Sequence, residues 1–182
     1  MTEQEIYDTE LTHPRNQGKA APATSLVLRV CRPDMTAYHG FVWPSEVGAT
    51  VEAPDWRNNK DCGHGLHGWL YGQGEHGCVG HWAKEGAKWL ELEVETDSIV
   101  MLGGKCKFPR ATVRFVGGRH DAATYLIAHE PRAVGAAVIG ARIDVGDGGS
   151  AMAGALSTLT GGAYATLTGG YRATLTGGDG AT

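Results

Sequence analysis

No stretch of this sequence approaches the roughly 18 consecutive apolar residues of a membrane-crossing helix. The opening MTEQEIYDTELTHPRNQGKAAPATS is polar and acidic, without the apolar centre of a secretion signal. A soluble, cytoplasmic protein is the expectation. Excess positive charge is also missing. The net charge is −4, with 16 Lys and Arg scattered among 20 Asp and Glu, so no basic stripe offers nucleic acid the release of its counterions. Neither nucleic acid nor membrane is an expected partner. Cysteine is scarce, and Cys31, Cys62, Cys78 and Cys106 form no CxxC pair. That pattern fits isolated thiols in a reducing compartment better than a disulfide framework. No Ser-centred nucleophile elbow occurs, and no glycine pair leads into a lysine-bearing helix as a phosphate loop would.

Glycine, by contrast, is abundant, at 28 of 182 residues, and much of it is ordered by a repeat. In STLTGGAYATLTGGYRATLTGGDGAT, residues 157 to 182, the same letters return every eight positions. Counted in eights from Ala141, the lines read ARIDVGDG, GSAMAGAL, STLTGGAY, ATLTGGYR and ATLTGGDG, with glycine sixth in each. Alternation in Thr-Leu-Thr points the leucine one way and both threonines the other, and the glycine pair supplies a tight corner. One unit cannot bury its leucine alone, whereas stacked units can, which predicts a β-solenoid. A flexible Gly/Thr linker and a small hairpin meander are the other readings of the same letters. The final GDGAT carries no charge-rich or proline-bearing cap. The expected edge is therefore open to strand pairing, making the chain a homo-oligomer or the binder of a protein partner through its tail.

Ahead of the tail, residues 1–23 read as a polar arm, 24–132 as a head domain and 133–182 as the repeat tail. SLVLRVC is a strand, and YHGFVWPSEVGATVEAPDW suggests brief strands joined by turns. HWAKEGAKW suggests a turn or two of helix, and KWLELEVET alternates as a strand with one wet face. SIVML and KCKFPRATVRFVG read as two further strands separated by a turn at Gly103–Gly104. HDAATYLIAHEPR, residues 120–132, predicts a helix capped by Asp121 and stopped by Pro131. AVGAAVIG, 133–140, reads either as a lead-in repeat or as the last strand of the head. The expected fold class is an α+β, mostly β head domain followed by a short β-solenoid of octapeptide repeats.

One window concentrates metal-ligand chemistry: Cys62, His64, His67, His76, Cys78 and His81. Imidazole and thiolate are what zinc prefers, but the spacing matches neither paired CxxC nor HExxH. A glycine-rich structural loop with partly exposed histidines is the competing reading. No other cofactor is expected.

Three resemblances follow from these runs. GGYRATLT and GGAYATLT resemble the octapeptide of bacterial ice-nucleation proteins. That likeness implies a threonine face that orders water, formed by Thr158, Thr160, Thr166, Thr168, Thr174 and Thr176. Cys62-Gly-His64-Gly-Leu66-His67 resembles a C-x-x-G-L-H pattern of poorly characterised phage and prophage proteins. It implies a compact α+β domain over residues 26 to about 130, without established activity, in the host cytoplasm if phage-encoded. The order of Gly-Leu-His, HWAKEGAKW and WLELEVE is loosely similar to ADP-ribosyltransferases. There His67 would contact a dinucleotide and Glu91, Glu93 or Glu130 would polarise the ribose. Alternating glutamates are equally the wet face of a strand. The reading that uses both halves of the chain is a non-catalytic binding or assembly protein. An ADP-ribosyltransferase-like enzyme or a small metal-stabilised module in the head are the alternatives.

Overall fold

The computed structural model describes residues 23–182, so the arm expected at 1–23 lies outside the described residues but for Ala23. The head is built on one sheet of seven strands: β1 (Thr24–Cys31), β2 (Thr50–Glu52), β3 (Leu66–Leu70), β4 (Lys88–Glu95), β5 (Val100–Met101), β6 (Cys106–Phe108) and β7 (Arg110–Gly117). Their spatial order is β2-β7-β4-β1-β3-β6-β5, with every pairing antiparallel. Strand β1 lies at the centre, and residues Ser25 to Cys31 are buried on both faces. Hence its near-continuous apolar run, where an edge strand would alternate.

The single α-helix among the described residues, α1 (Arg119–His129), buries Ala122, Ala123 and Leu126. Gly118 holds its N-cap position and Asp121 stands in the first turn without making a cap hydrogen bond, so the expected aspartate cap is not used. Pro131 does end the helix, by opening a short 3-10 turn at Pro131–Ala133. The expected helix in HWAKEGAKW is a series of turns. The run KCKFPRATVRFVG makes two strands because Pro109 interrupts it. Gly103 and Gly104, both with positive φ (69° and 67°), close the β5–β6 hairpin as expected.

Residues 133–140 form no strand, but their end keeps the geometry of a repeat corner. Gly140 is left-handed (φ 76°), and its N–H donates to Ala155 O just as that of Gly148 does to Ala163 O. The segment joins the two halves: Ile139 N–H donates to Gly72 O in the head, and Gly154 N–H of the tail donates to Val138 O. The tail strands are β8 (Arg142–Val145), β9 (Ser150–Ala153), β10 (Thr158–Gly161), β11 (Thr166–Gly169) and β12 (Thr174–Thr176). They form two parallel sheets, β12-β10-β8 and β11-β9. Leu159 pairs with Ile143 on one side and Leu175 on the other, and Leu167 pairs with Ala151. The unit that stacks is therefore two octads long, and consecutive octads lie on different sheets.

The paired glycines work differently from the sequence expectation. The left-handed residues are at the eighth place of each octad: Gly148, Leu156, Tyr164, Arg172 and Gly180, with φ between 56° and 67°. The sixth-place glycines instead let backbones touch. A Cβ on Gly170 would stand 2.6 Å from Ala155 N, and one on Gly178 would stand 2.8 Å from Ala163 N. Even the corners are hydrogen-bonded from unit to unit, as in Gly148 N–H to Ala163 O, Leu156 N–H to Tyr171 O and Tyr164 N–H to Asp179 O. Leu159 and Leu167 are buried in the same core as Val27, Leu70, Leu90 and Leu126 of the head. Among the described residues no helix is long and apolar enough to cross a membrane.

Candidate functional site

The central strand carries an unusual residue. Arg29, in the middle of β1, is only 4% exposed. Its Nη1 donates to His67 O at 3.0 Å, while its Nε has no partner. The guanidinium carbon lies 5.2 Å from the centre of the Trp43 ring. Burial pulls its pKa down. The adjacent Cys31 thiol, pushed up by burial, is neutral and supplies no counter-charge. Leaving such a group in a core carries a desolvation cost on the order of several kcal/mol.

Arg29 lines a cavity of about 730 Å³, together with Tyr38, Phe41, Trp43, His64, His67 and Lys105 among others. One wall is the glycine-rich loop, fixed in place by Lys107 of β6. The fully buried Lys107 ammonium donates to Asn59 Oδ1 (2.8 Å), Asp61 O (2.8 Å) and Gly63 O (3.3 Å). Those carbonyls explain why a loop of small residues holds one shape. Burial, then the charges of Lys105, Arg29 and Lys107, lowers the His67 pKa to about 4, so the ring is neutral near pH 7. Its Nε2 has no partner.

The zinc-type residues disperse around this cavity. Cys62, His64, His67 and Cys78 line it. His76 lines a different cavity of about 580 Å³ between head and tail, beside Tyr171, and His81 lies 4.9 Å from the Tyr38 ring. His64 Nδ1 is 3.3 Å from Asp55 Oδ2, and the Cys78 thiol donates to Glu75 Oε2. Among the described residues no group of three or more His, Cys, Asp or Glu is placed to hold a metal ion.

The glutamates do not join His67. Glu93 pairs with Arg114 at 2.6 Å, and Glu130 is bound by Arg132 Nε at 2.6 Å and by Leu26 N–H at 3.1 Å; both line a third cavity of about 340 Å³. Glu91 is 0% exposed, and neither of its oxygens has a partner. Burial, reinforced by the Glu130 charge, raises its pKa well above the ordinary range and keeps it protonated. So the wet strand face expected at Glu91 is dry, and none of these three cavities of the described residues brings His67 together with Glu91, Glu93 or Glu130.

The threonines fall on two sheets: Thr158, Thr160, Thr174 and Thr176 on one, Thr166 and Thr168 on the other. All are exposed except Thr158, which is half-buried. Thr158 stacks between Arg142 and Thr174, and Thr160 between Asp144 and Thr176. The six threonines expected on a single face are thus divided by the two-octad period.

The residues missed in the sequence are Arg29, Trp43 and Lys105. Arg29 within SLVLRVC carries one readable signal, a lone charge inside an apolar strand.

Fold and sites together define a mostly β protein in which an antiparallel head continues into parallel repeat strands. Residues 25–128 match the family described as Domain of unknown function (DUF7666), and the chain belongs to that family. The match covers the head sheet and nearly all of α1. The chain is also 37% identical over 108 residues to an ice nucleation protein of Xanthomonas campestris pv. translucens, covering 58% of this chain and 7% of that protein. Against an ice nucleation protein of Pseudomonas syringae the figures are 35% over 108 residues, 58% and 9%. Against ice nucleation protein InaU of Pantoea ananas they are 32% over 106 residues, 57% and 10%. The chain thus spans about a tenth or less of these relatives. Each match is longer than residues 141–182, so part of the likeness falls on the head and is not a property of repeats alone. The expected likeness to phage and prophage proteins, which rests on the Cys62–His67 run and the order of strands around it, gains no support from these relatives. No solved structure matches the chain.

Proposed function

We propose that this chain is a non-enzymatic assembly protein. In this reading its tail is a β-solenoid with two octads per coil, closed at one end by the head and open to a further coil at β12. The observation that carries it is a contrast between two residues in register: Leu159 is 0% exposed and Leu175 is 44% exposed. Each is the leucine of a Thr-Leu-Thr strand, and only the outer one lacks a coil over it. The outer edge of β12 also presents unpaired backbone groups, which favour another strand of the same kind. The relatives' repeats support a repeat-bearing, non-enzymatic role. Further coils in a longer chain would cover the rim in the same way as a partner. The freezing activity in the relatives' name is not carried over, because no threonine row here is longer than two residues.

The test is the mass of the 182-residue chain in solution, by sedimentation, beside Leu175→Lys. Truncation at residue 140 is unsuitable, because Ala153 and Leu159 of the tail are buried in the core shared with the head. Reversible association at tens of micromolar in the parent, abolished by the lysine, is the expected result. A parent that stays monomeric to several hundred micromolar defeats the proposal, as does association that ignores Leu175→Lys.

A further inference from the structure

The Arg29 cavity lacks one thing that its lining requires. Arg29, Lys105 and Lys107 converge around His67, yet among the described residues no carboxylate forms an ion pair with any of them. The one carboxylate in the lining, Asp55, is 54% exposed, lies 3.3 Å from His64 Nδ1 and pairs with none of the three cations. Lys107 satisfies itself on loop carbonyls and Lys105 on Cys78 O at 3.3 Å. Arg29 Nε, Trp43 Nε1 and His67 Nε2 are buried polar atoms with nothing to bond. Nearly all buried polar groups in folded proteins find partners, and a buried charge needs an opposite one. The cavity is far larger than a bare oxyanion, and its volume falls in the range of small-molecule sites. Phe41 and Trp43, with ring centres 5.6 Å apart and edge to face, give it an aromatic wall.

We propose that this cavity binds a small organic anion, a phosphate or carboxylate carried on a flat ring, with Arg29 and Lys105 holding the anionic group and Trp43, Phe41 and Tyr38 receiving the ring. Arg29 suits the task because its fixed fork matches an oxyanion in two-point contact. His67, neutral when the site is empty, gains an opposite charge beside it when the anion enters, and its pKa rises. This site is separate from the β12 rim and stands whether or not the chain assembles.

The test is calorimetry on the full chain with phenyl phosphate, benzoate, inorganic phosphate and benzyl alcohol. Phenyl phosphate or benzoate should bind once per chain, about tenfold or more tighter than inorganic phosphate, and benzyl alcohol should not compete. Whichever of the two aryl anions binds identifies the group taken. Binding by neither, or equally tight binding of benzyl alcohol, overturns the proposal. Arg29→Gln and Lys105→Gln should each weaken the bound anion by about tenfold, the effect of one lost charged hydrogen bond. Should Arg29→Gln not fold, Lys105→Gln decides, since Lys105 is only half-buried; an unchanged affinity there counts against the site. Imidazole NMR gives an independent readout. The titratable groups that line this cavity or act on His67 are Arg29, Lys105, Lys107, Tyr38, His39, His64, Cys62, Cys78 and Asp55. The His67 pKa of about 4 should climb in the presence of the bound anion, and a titration that does not move refutes the placement.

Discussion

The head and the tail bury different things. In the tail the interior is leucine and alanine, and hydrogen bonds run from unit to unit, through the corners as well as the strands. In the head the central strands bury Arg29, Glu91 and Lys107, and two of these leave polar atoms unpartnered. Unpaired buried polar groups are costly, so natural cores keep few of them. In the tail each strand repeats the pairing of the one two octads before it. The head accepts stability costs at defined places, and a cavity stands at one of them.

The most forceful way to test the tail's half of this contrast is to remove one leucine from each of two coils. Leu159→Ala should cost about 3 kcal/mol, the range for a fully buried leucine whose surroundings cannot collapse. Leu175→Ala, at the rim, should cost less than about 1 kcal/mol because much of that side chain is already in water. Urea denaturation of both variants checks it. Equal losses would mean that the two positions share an environment, and the description of an inner and an outer coil would fail.

The octad was legible because leucine, threonine and glycine recur at fixed places. The two-octad stacking period was not, because the two sheets present the same environment, leucine in and threonine out, and so select the same letters in every octad. The corner was misread for a related reason. Glycine pairs suggest a left-handed turn, but the left-handed position is the eighth, where Leu156, Tyr164 and Arg172 stand and no letter marks it. Gly146 makes the point by contrast: it is sixth in its octad, yet an added Cβ there meets nothing within 4 Å, because no earlier coil lies against it. In the head, strand and helix positions were largely readable from alternation and from Pro131. The order β2-β7-β4-β1-β3-β6-β5 was not, since it depends on pairings between distant segments. Nor was the burial of Arg29 and Glu91. Alternating charge in WLELEVE describes a wet face only if nothing covers that face, and α1 with Glu130 covers it.

Glu91 offers a way to break the head's half of the comparison. Its folded pKa is raised above its unfolded value, so at acid pH both states hold the proton and the group adds no pH dependence. Above the ordinary glutamate range the unfolded chain ionises while the folded one keeps its proton. Stability then falls with rising pH by about 1.4 kcal/mol per unit until the folded pKa is reached. Glu91→Gln removes that slope. The stability difference between variant and parent should therefore shift in the variant's favour as pH rises above the ordinary glutamate range. A difference that stays flat with pH would mean Glu91 is ionised in the folded protein and has a partner or water beside it.

The smallest effect is expected where the two regions meet, and its sign carries the information. Tyr164 and Arg172 share a left-handed backbone, with φ of 57° and 56°, and each should relax when replaced by asparagine, which tolerates that conformation better. Tyr164 is 72% exposed, so Tyr164→Asn should raise stability by about 0.5 kcal/mol. Arg172 has the same strain but lies over Trp82 at 5.4 Å and Tyr171 at 5.6 Å, and Tyr171 in turn stacks on His76 of the head at 4.8 Å. Losing that cation–aromatic contact costs about 0.5–1 kcal/mol, so Arg172→Asn should be neutral or destabilising despite the same backbone relief. If thermal melts show both variants gaining equally, then Arg172 contributes nothing to the joint, and the tail is held to the head by the shared apolar core, the Tyr171–His76 stack and the Val138–Ile139 backbone bonds.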